Sequence, residues 1–346
     1  MTRRAQARLM SVEPAWALPG ARITVGGEGF GADGPQLPVV RVGGVEARVL
    51  LASPSRLGVR IPDGLESGRV QVTVDGAEGQ AGFELGGAVA TGIHQVDNPA
   101  IAPAGTLYLT NSGQRGQQVP VSVFRVGADG VREAYLSGIV NATALAFDAR
   151  GVLHISSRFD GTVYRVKPDH TLEVVASDLG VVCGLAFGAD GSLFAGDRGG
   201  TIFRIVRTGH VVPFVTLPPS VVAYHLAAGP DDDLFVTGPT FDTCDRVYRV
   251  SRLGEIRVVS AEFGRPQGLA CDADGALYVV EAVAGGAGLY RVREGHAREL
   301  VMAAPALVGI AIDPRGGLVA VSPDTAYRLD VPLHPWRAVT TAGASK

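Results

Sequence analysis

The chain has 346 residues, 46% of them hydrophobic, with 31 Lys and Arg against 34 Asp and Glu, a net charge of −3 and a pI near 6.2. That supplies apolar residues for a large core and argues against a general nucleic-acid binder, which presents a basic face. No apolar run approaches the ~20 residues needed to span a bilayer, so no membrane partner is expected.

The 47 glycines follow no three-residue period and read as turn residues of an all-β protein. Cys183, Cys244 and Cys271 are odd in number and lack metal-ligand spacing, which fits reduced thiols. At the start of the chain Arg3-Arg4 is followed by no apolar segment, so a cytoplasmic protein is expected.

Residues 9–85 read as short strands: Ala21–Val25, Val39–Val42, Ala47–Leu51, Arg56–Ile61, Arg69–Val74 and Gly82–Leu85. Val70, Val72 and Val74 alternate as a half-buried strand does. Pro19-Gly20, Gly43-Gly44, Pro62-Asp63-Gly64 and Ser67-Gly68 mark turns between the strands. Strands at this spacing predict a β-sandwich. Its arginines, among them Arg22, Arg41 and Arg69, are dispersed and read as solvated strand faces.

The segment resembles the IPT/TIG family of immunoglobulin-like domains. The resemblance runs through Ser11-Val12-Glu13-Pro14, Thr24-Val25-Gly26-Gly27-Glu28-Gly29-Phe30, Val42-Gly43-Gly44-Val45-Glu46-Ala47 and Val59-Arg60-Ile61-Pro62-Asp63-Gly64. It implies an accessory or spacer domain. Gly86-Gly87 is the expected hinge.

Residues 88–341 hold six copies of a strand–turn–strand unit. The turns fall at Gly105, Gly151, Gly191, Asp232, Gly275 and Gly316. Each copy ends in an aromatic-Arg-apolar triplet, from Phe124-Arg125-Val126 to Tyr327-Arg328-Leu329. A period of ~40–45 residues with four strands per unit predicts a propeller blade, hence six blades. The recurring arginines are expected to serve the scaffold, with packed stems. Either Ala88–Ile93 or Trp336–Thr341 supplies the outer strand of the last blade, and the former would close the ring.

Units such as Gln267-Gly268-Leu269-Ala270-Cys271-Asp272-Ala273-Asp274-Gly275 make this half resemble the six-bladed SMP-30/gluconolactonase and NHL-repeat families. The fold class expected for the whole chain is therefore all-β, an immunoglobulin-like sandwich followed by a six-bladed propeller.

Hairpin geometry locates a site. The inner-strand residues Thr143, Cys183, Tyr224, Gln267 and Val308 each precede Ser157, Asp197, Gly238, Glu281 and Ser322 by 14 positions. All ten are expected at one mouth of the channel, where loops converge. Asp197 and Glu281 are the acids of this set and the candidate ligands of a divalent cation, calcium or magnesium; Asn98, Thr143, Ser157 and Gln267 add neutral oxygens. Against that stands a structural role, Asp197 capping the turn before Arg198-Gly199-Gly200.

The lactonase resemblance implies a metal held by an acid of the first blade and by Asn or Asp of later ones. Asp97 fits the first position, and the remaining ligands do not carry over. A second resemblance, to virginiamycin B lyase-like propellers, implies a histidine with a glutamate 14 residues later near magnesium. Gln267 and Glu281 have that spacing, although glutamine is no general base. His225 stands one position from Tyr224 and should point the other way, as a hydrogen-bonded residue between blades. Cys183 reads as a small buried thiol.

Long loops at Ser112–Pro120, Pro239–Arg246 and Ala282–Gly288 rise around the same mouth. The candidate ligand-binding residues are Asn98, Arg115, Thr143, Arg158, Tyr224 and Phe241; Gln267, Glu281 and His225 are the catalytic candidates. The leading expectation is a protein that binds a small polar ligand or a protein partner at the mouth. The rival is a metal-assisted hydrolase or lyase acting on a lactone or cyclic ester, and the third reading is a structural spacer.

Overall fold

A computed structural model describes residues 6–31, 37–206 and 209–335. Strands dominate it. Among the described residues the one helical element is a single 3-10 turn at Pro230–Asp232, and no helix is long and apolar enough to cross a membrane.

The N-terminal strands form two facing sheets, as the alternation of Val70, Val72 and Val74 requires. One orders the strands Val49–Ala52, Arg56–Arg60, Arg22–Glu28, Ala7–Glu13 and Ala77–Glu78; the other holds Trp16–Ala17, Ala81–Leu85, Gly68–Val74, Val40–Val42 and Val45–Ala47. Ile23, Val25, Leu57, Val59, Val72 and Phe83 fill the space between them.

The remainder is a ring of six four-stranded units. The inner strands are Ala100–Ile101, Ala142–Phe147, Val182–Phe187, His225–Ala228, Pro266–Cys271 and Gly309–Ile312. Each inner strand neighbours the next, and the last returns to the first, so the ring closes. The outer strand of the sixth blade is Gly87–Thr91, antiparallel to Thr325–Leu329. The alternative, Trp336–Thr341, lies outside the described residues.

Every triplet arginine meets a carboxylate of its own blade: Arg125 with Glu133, Arg165 with Glu173, Arg204 with Asp190, Arg249 with Asp233, Arg291 with Glu299 and Arg328 with Asp313. These arginines serve the scaffold.

The expected hinge at Gly86-Gly87 is instead packed backbone. Trp16–Ala17 pairs on one side with Glu84–Leu85 and on the other with Met302–Ala303, the outer strand of the fifth blade. One nine-stranded sheet therefore runs from the sandwich into the propeller. Leu18 N–H donates to the Ala303 carbonyl at 2.9 Å and Gly86 N–H to that of Ala17 at 2.9 Å. A β-carbon on Gly86 would lie 2.6 Å from Leu18 Cδ2 and 2.8 Å from Leu329 Cγ, which is why glycine stands there.

Near the axis, crowding selects small residues. Blade 2 has Ala144 where blades 3, 5 and 6 have Gly184, Gly268 and Gly309. A β-carbon on Gly309 would sit 2.6 Å from the Asp97 carbonyl oxygen and 2.7 Å from Asn98 Cα. Gly309→Ala therefore forces backbone to move against backbone. We expect it to lower stability by about 1–3 kcal/mol in urea unfolding, the usual cost of overpacking. Unchanged stability would mean that blades 6 and 1 do not approach this closely.

Candidate functional site

Two asparagines organise the start of the ring. Asn98, on blade 1, donates from Nδ2 to the Leu269 carbonyl of blade 5 at 3.2 Å, and its Oδ1 accepts from Ile310 N–H of blade 6 at 3.1 Å. Its amide staples three blades. Asn141, fully buried with φ of +50°, holds the long loop of blade 1. Its Nδ2 donates to the carbonyls of Ser112 at 2.5 Å and Gln114 at 2.7 Å, and its Oδ1 accepts from Gly116 N–H at 2.7 Å. Asparagine tolerates this left-handed conformation better than most residues. The sequence reading missed Asn141. Its only local signal is an Asn two residues before Thr143, in the turn that enters blade 2.

Across the axis a buried polar layer closes the channel. Asp97 of blade 1 meets His225 of blade 4, Oδ1 to Nδ1, at 2.5 Å. His225 Nε2 faces Gln267 Oε1 of blade 5 at 3.1 Å. None of the three is more than 4% exposed. Burial pushes the Asp97 carboxyl above its ordinary value, and the adjacent His225 pulls it back. Thr143 is buried, its hydroxyl donating to the Asn141 carbonyl at 2.8 Å.

Tyr224 departs from the expected alignment. Blades 2, 3 and 5 shift register at the start of the inner strand, whereas the first pair of blade 4, His225 with Thr237, continues without a shift. Tyr224 packs between blades 3 and 4 with Leu226 and Ile202, and its hydroxyl donates to the Pro218 carbonyl. His225 takes the axial place.

Of the two acids proposed for a metal, Glu281 has both oxygens bonded and Asp197 has one. Asp197 Oδ1 accepts from Val181 N–H at 2.7 Å. Glu281, 1% exposed, accepts from the N–H groups of Gly264, Arg265 and Val283 at 2.8–3.0 Å and from Arg298 Nη1 at 3.0 Å. Calcium or magnesium needs free carboxylate oxygens converging on one point. The oxygens of Glu281 are taken by N–H donors, and among the described residues no three His, Cys, Asp or Glu side chains gather to hold an ion.

Above the polar layer the loops of blades 1, 2 and 3 present Arg115, Arg158 and Arg198. None has a carboxylate within 4.0 Å among the described residues, and none makes a side-chain hydrogen bond there. Arg158 is half-buried, and Arg115 and Arg198 are exposed. Burial lowers the Arg158 guanidinium pKa, and the nearby charges of Arg198 and Arg115 push it the same way. His94 is lowered too, by burial and by Arg158. The Phe159 ring rests over Gly116, whose β-carbon would be 3.1 Å from Phe159 Cε2. Phe241, 96% exposed, sits on the blade 4 loop, where Asp245 Oδ1 accepts from Thr240 N–H at 2.9 Å and from its hydroxyl at 2.6 Å.

The thiols follow the same logic of burial. Desolvation, with Asp97 nearby, pushes Cys183 up to about 12, and desolvation with Asp272 does the same to Cys271. Cys244 is exposed. A thiol reagent at pH 8 should therefore modify one cysteine in the native protein, Cys244, and all three in denaturant. Rapid native labelling of Cys183 would mean that the polar layer opens.

Residues 7–87 match the IPT/TIG domain family. No curated protein matches the chain by sequence. Among solved structures, a candidate gluconolactonase superposes with a TM-score of 0.60 at 16% identity, over 73% of this chain and 93% of that one. An auxiliary nutrient binding protein from Bacteroides thetaiotaomicron gives 0.55 at 14%, over 94% and 98%. Virginiamycin B lyase from Staphylococcus aureus gives 0.52 at 14%, over 69% and 95%. Identities this low establish the fold alone. The chain joins an IPT/TIG domain to a β-propeller of the architecture seen in gluconolactonase-family proteins.

Proposed function

We propose that this protein binds a small anionic ligand, a carboxylate or a phosphate ester, at the rim formed by blades 1 to 3. The observation that carries this reading is the trio Arg115, Arg158 and Arg198, like charges grouped on three consecutive blades without a carboxylate partner among the described residues. Like charges held together raise the free energy of the empty site, and an anion relieves it. Asn141 holds the Arg115 loop in place beforehand, which lowers the ordering cost of binding. Phe159 beside Gly116 offers a ring face to an aromatic part of the ligand.

A binding role agrees with the likeness to an auxiliary nutrient binding protein. Hydrolase or lyase chemistry is less well supported. Gln267 and His225 lie in the sealed layer, and the oxygens of Glu281 are occupied by backbone donors.

The test is a panel of carboxylates and phosphate esters, read first as a rise in melting temperature and then by titration calorimetry. A charge-assisted hydrogen bond contributes about 1.5–3 kcal/mol, so Arg158→Gln should weaken the best anion about tenfold to a hundredfold. Arg158→Gln with Arg198→Gln should abolish the response, while Phe241→Ala leaves most of it. An undiminished response in the double variant removes the rim from the reading.

A further inference from the structure

The arginine rim continues onto blade 4, where Phe241 stands 96% exposed. Main-chain hydrogen bonds tie the whole arc together. Asn141, whose side chain holds the Arg115 loop, accepts from Arg158 N–H at its carbonyl at 3.3 Å. The Arg158 loop closes with Gly161 N–H on the Ser157 carbonyl, and Leu179 N–H donates to the Gly161 carbonyl at 3.0 Å. Two residues on, the Val181 carbonyl accepts from Arg198 N–H at 3.0 Å. The Arg198 carbonyl in turn accepts from Ser220 N–H at 2.9 Å, and the Ser220 hydroxyl donates to the Pro239 carbonyl at 3.0 Å. Phe241 follows two residues later.

The Phe241 loop is braced although its ring is bare. Val221 N–H donates to the Pro239 carbonyl at 2.8 Å, Asp245 Oδ1 accepts twice from Thr240, and Asp242 N–H donates to the Thr240 hydroxyl at 3.0 Å. An aromatic side chain on such a loop gives up little freedom when a partner covers it, as interface anchors do. Phe159, 55% exposed on the blade 2 loop, is a second ring on the same arc. A small anion that answers the three arginines leaves Phe241 uncovered, one blade further on.

We infer, building on the anion reading of the rim, that this arc docks an acidic segment of another protein. Its carboxylates meet Arg115, Arg158 and Arg198, and an apolar side chain next to them covers Phe241. Charge decides between this and other anionic partners. Asp160 and Asp242, both exposed, directly follow Phe159 and Phe241. A nucleic acid that stacks a base on either ring brings a phosphate past these carboxylates at every nucleotide. An anionic lipid surface meets the same repulsion, and a flat surface is poorly shaped for Arg158, half-buried between two exposed neighbours. A polypeptide can set its acidic residues against the arginines and an uncharged one beside Asp242.

The experiment pans a phage-displayed library of random dodecapeptides on the full chain, then titrates the most enriched sequence as a fluorescein-labelled peptide, read by anisotropy. Clustered Asp or Glu beside a leucine or an aromatic residue is the expected enrichment. Phe241→Ala should weaken that peptide by about tenfold or more, the usual loss of an aromatic anchor, while the small-anion response of the rim stays largely as it is. That preserved response and a cooperative melt show that the variant is folded. Arg158→Gln with Arg198→Gln should lose both. Oligothymidylate and phosphatidylserine vesicles, titrated alongside, should bind weakly and without regard to Phe241→Ala. A rim that responds to small anions yet enriches no acidic peptide, a peptide indifferent to Phe241→Ala, or nucleic-acid or vesicle binding that Phe241→Ala abolishes would overturn the docking surface and leave the anion site standing. A native protein without any small-anion response would remove both.

Discussion

A carboxylate from the first blade and an imidazole from the fourth meet on the propeller axis, out of reach of water. Blades 1 and 4 stand opposite each other in the ring, so this contact spans the channel rather than joining neighbours. Taking both groups from water is costly, and it is offset only while each has its partner; removing one from such a pair typically costs about 3–5 kcal/mol. Gln267 adds a third blade and satisfies the second ring nitrogen. The rim arginines stand on one side of it, and the turns of the first hairpins lie on the other.

Arginine has two uses in this molecule, told apart by its company. The triplet arginines recur once per blade and each has a carboxylate of the same blade beside it. The rim arginines occur once each, on loops of different length, and have no such partner among the described residues. A chain with a net charge of −3 thus carries a local positive field where its loops converge. Overall charge, which argued against nucleic acid, says nothing of such a cluster.

The fold was legible because its signals are local and repeated. Each blade carries its own turn, its own apolar strand pair and its own triplet, and the sandwich strands alternate plainly at Val70, Val72 and Val74. The site was less legible because it depends on register. Counting 14 residues across a hairpin assumes that every blade pairs alike, and blade 4 does not begin with the shift seen in blades 2, 3 and 5. That difference exchanges the roles of Tyr224 and His225. Glu281 and Asp197 were found at the expected strand ends, yet both oxygens of Glu281 and one of Asp197 accept from backbone N–H groups, which no spacing rule discloses. Asn141 works through the loop of the preceding blade, 25–29 residues back, a contact that its neighbours in sequence do not announce.

The strand Trp16–Ala17 turns the domain boundary into a seam of continuous hydrogen bonding. The outermost strand of blade 5 has its free edge covered, and Leu18 is buried against Met302 and Leu329. Cutting the chain after the sandwich would therefore strip the propeller of a flank and leave the Met302–Ala303 edge open to another molecule. The two folds share material as well as a border. The sandwich lends its strand Trp16–Ala17 to the flank of the propeller, as a handle is joined to a cup.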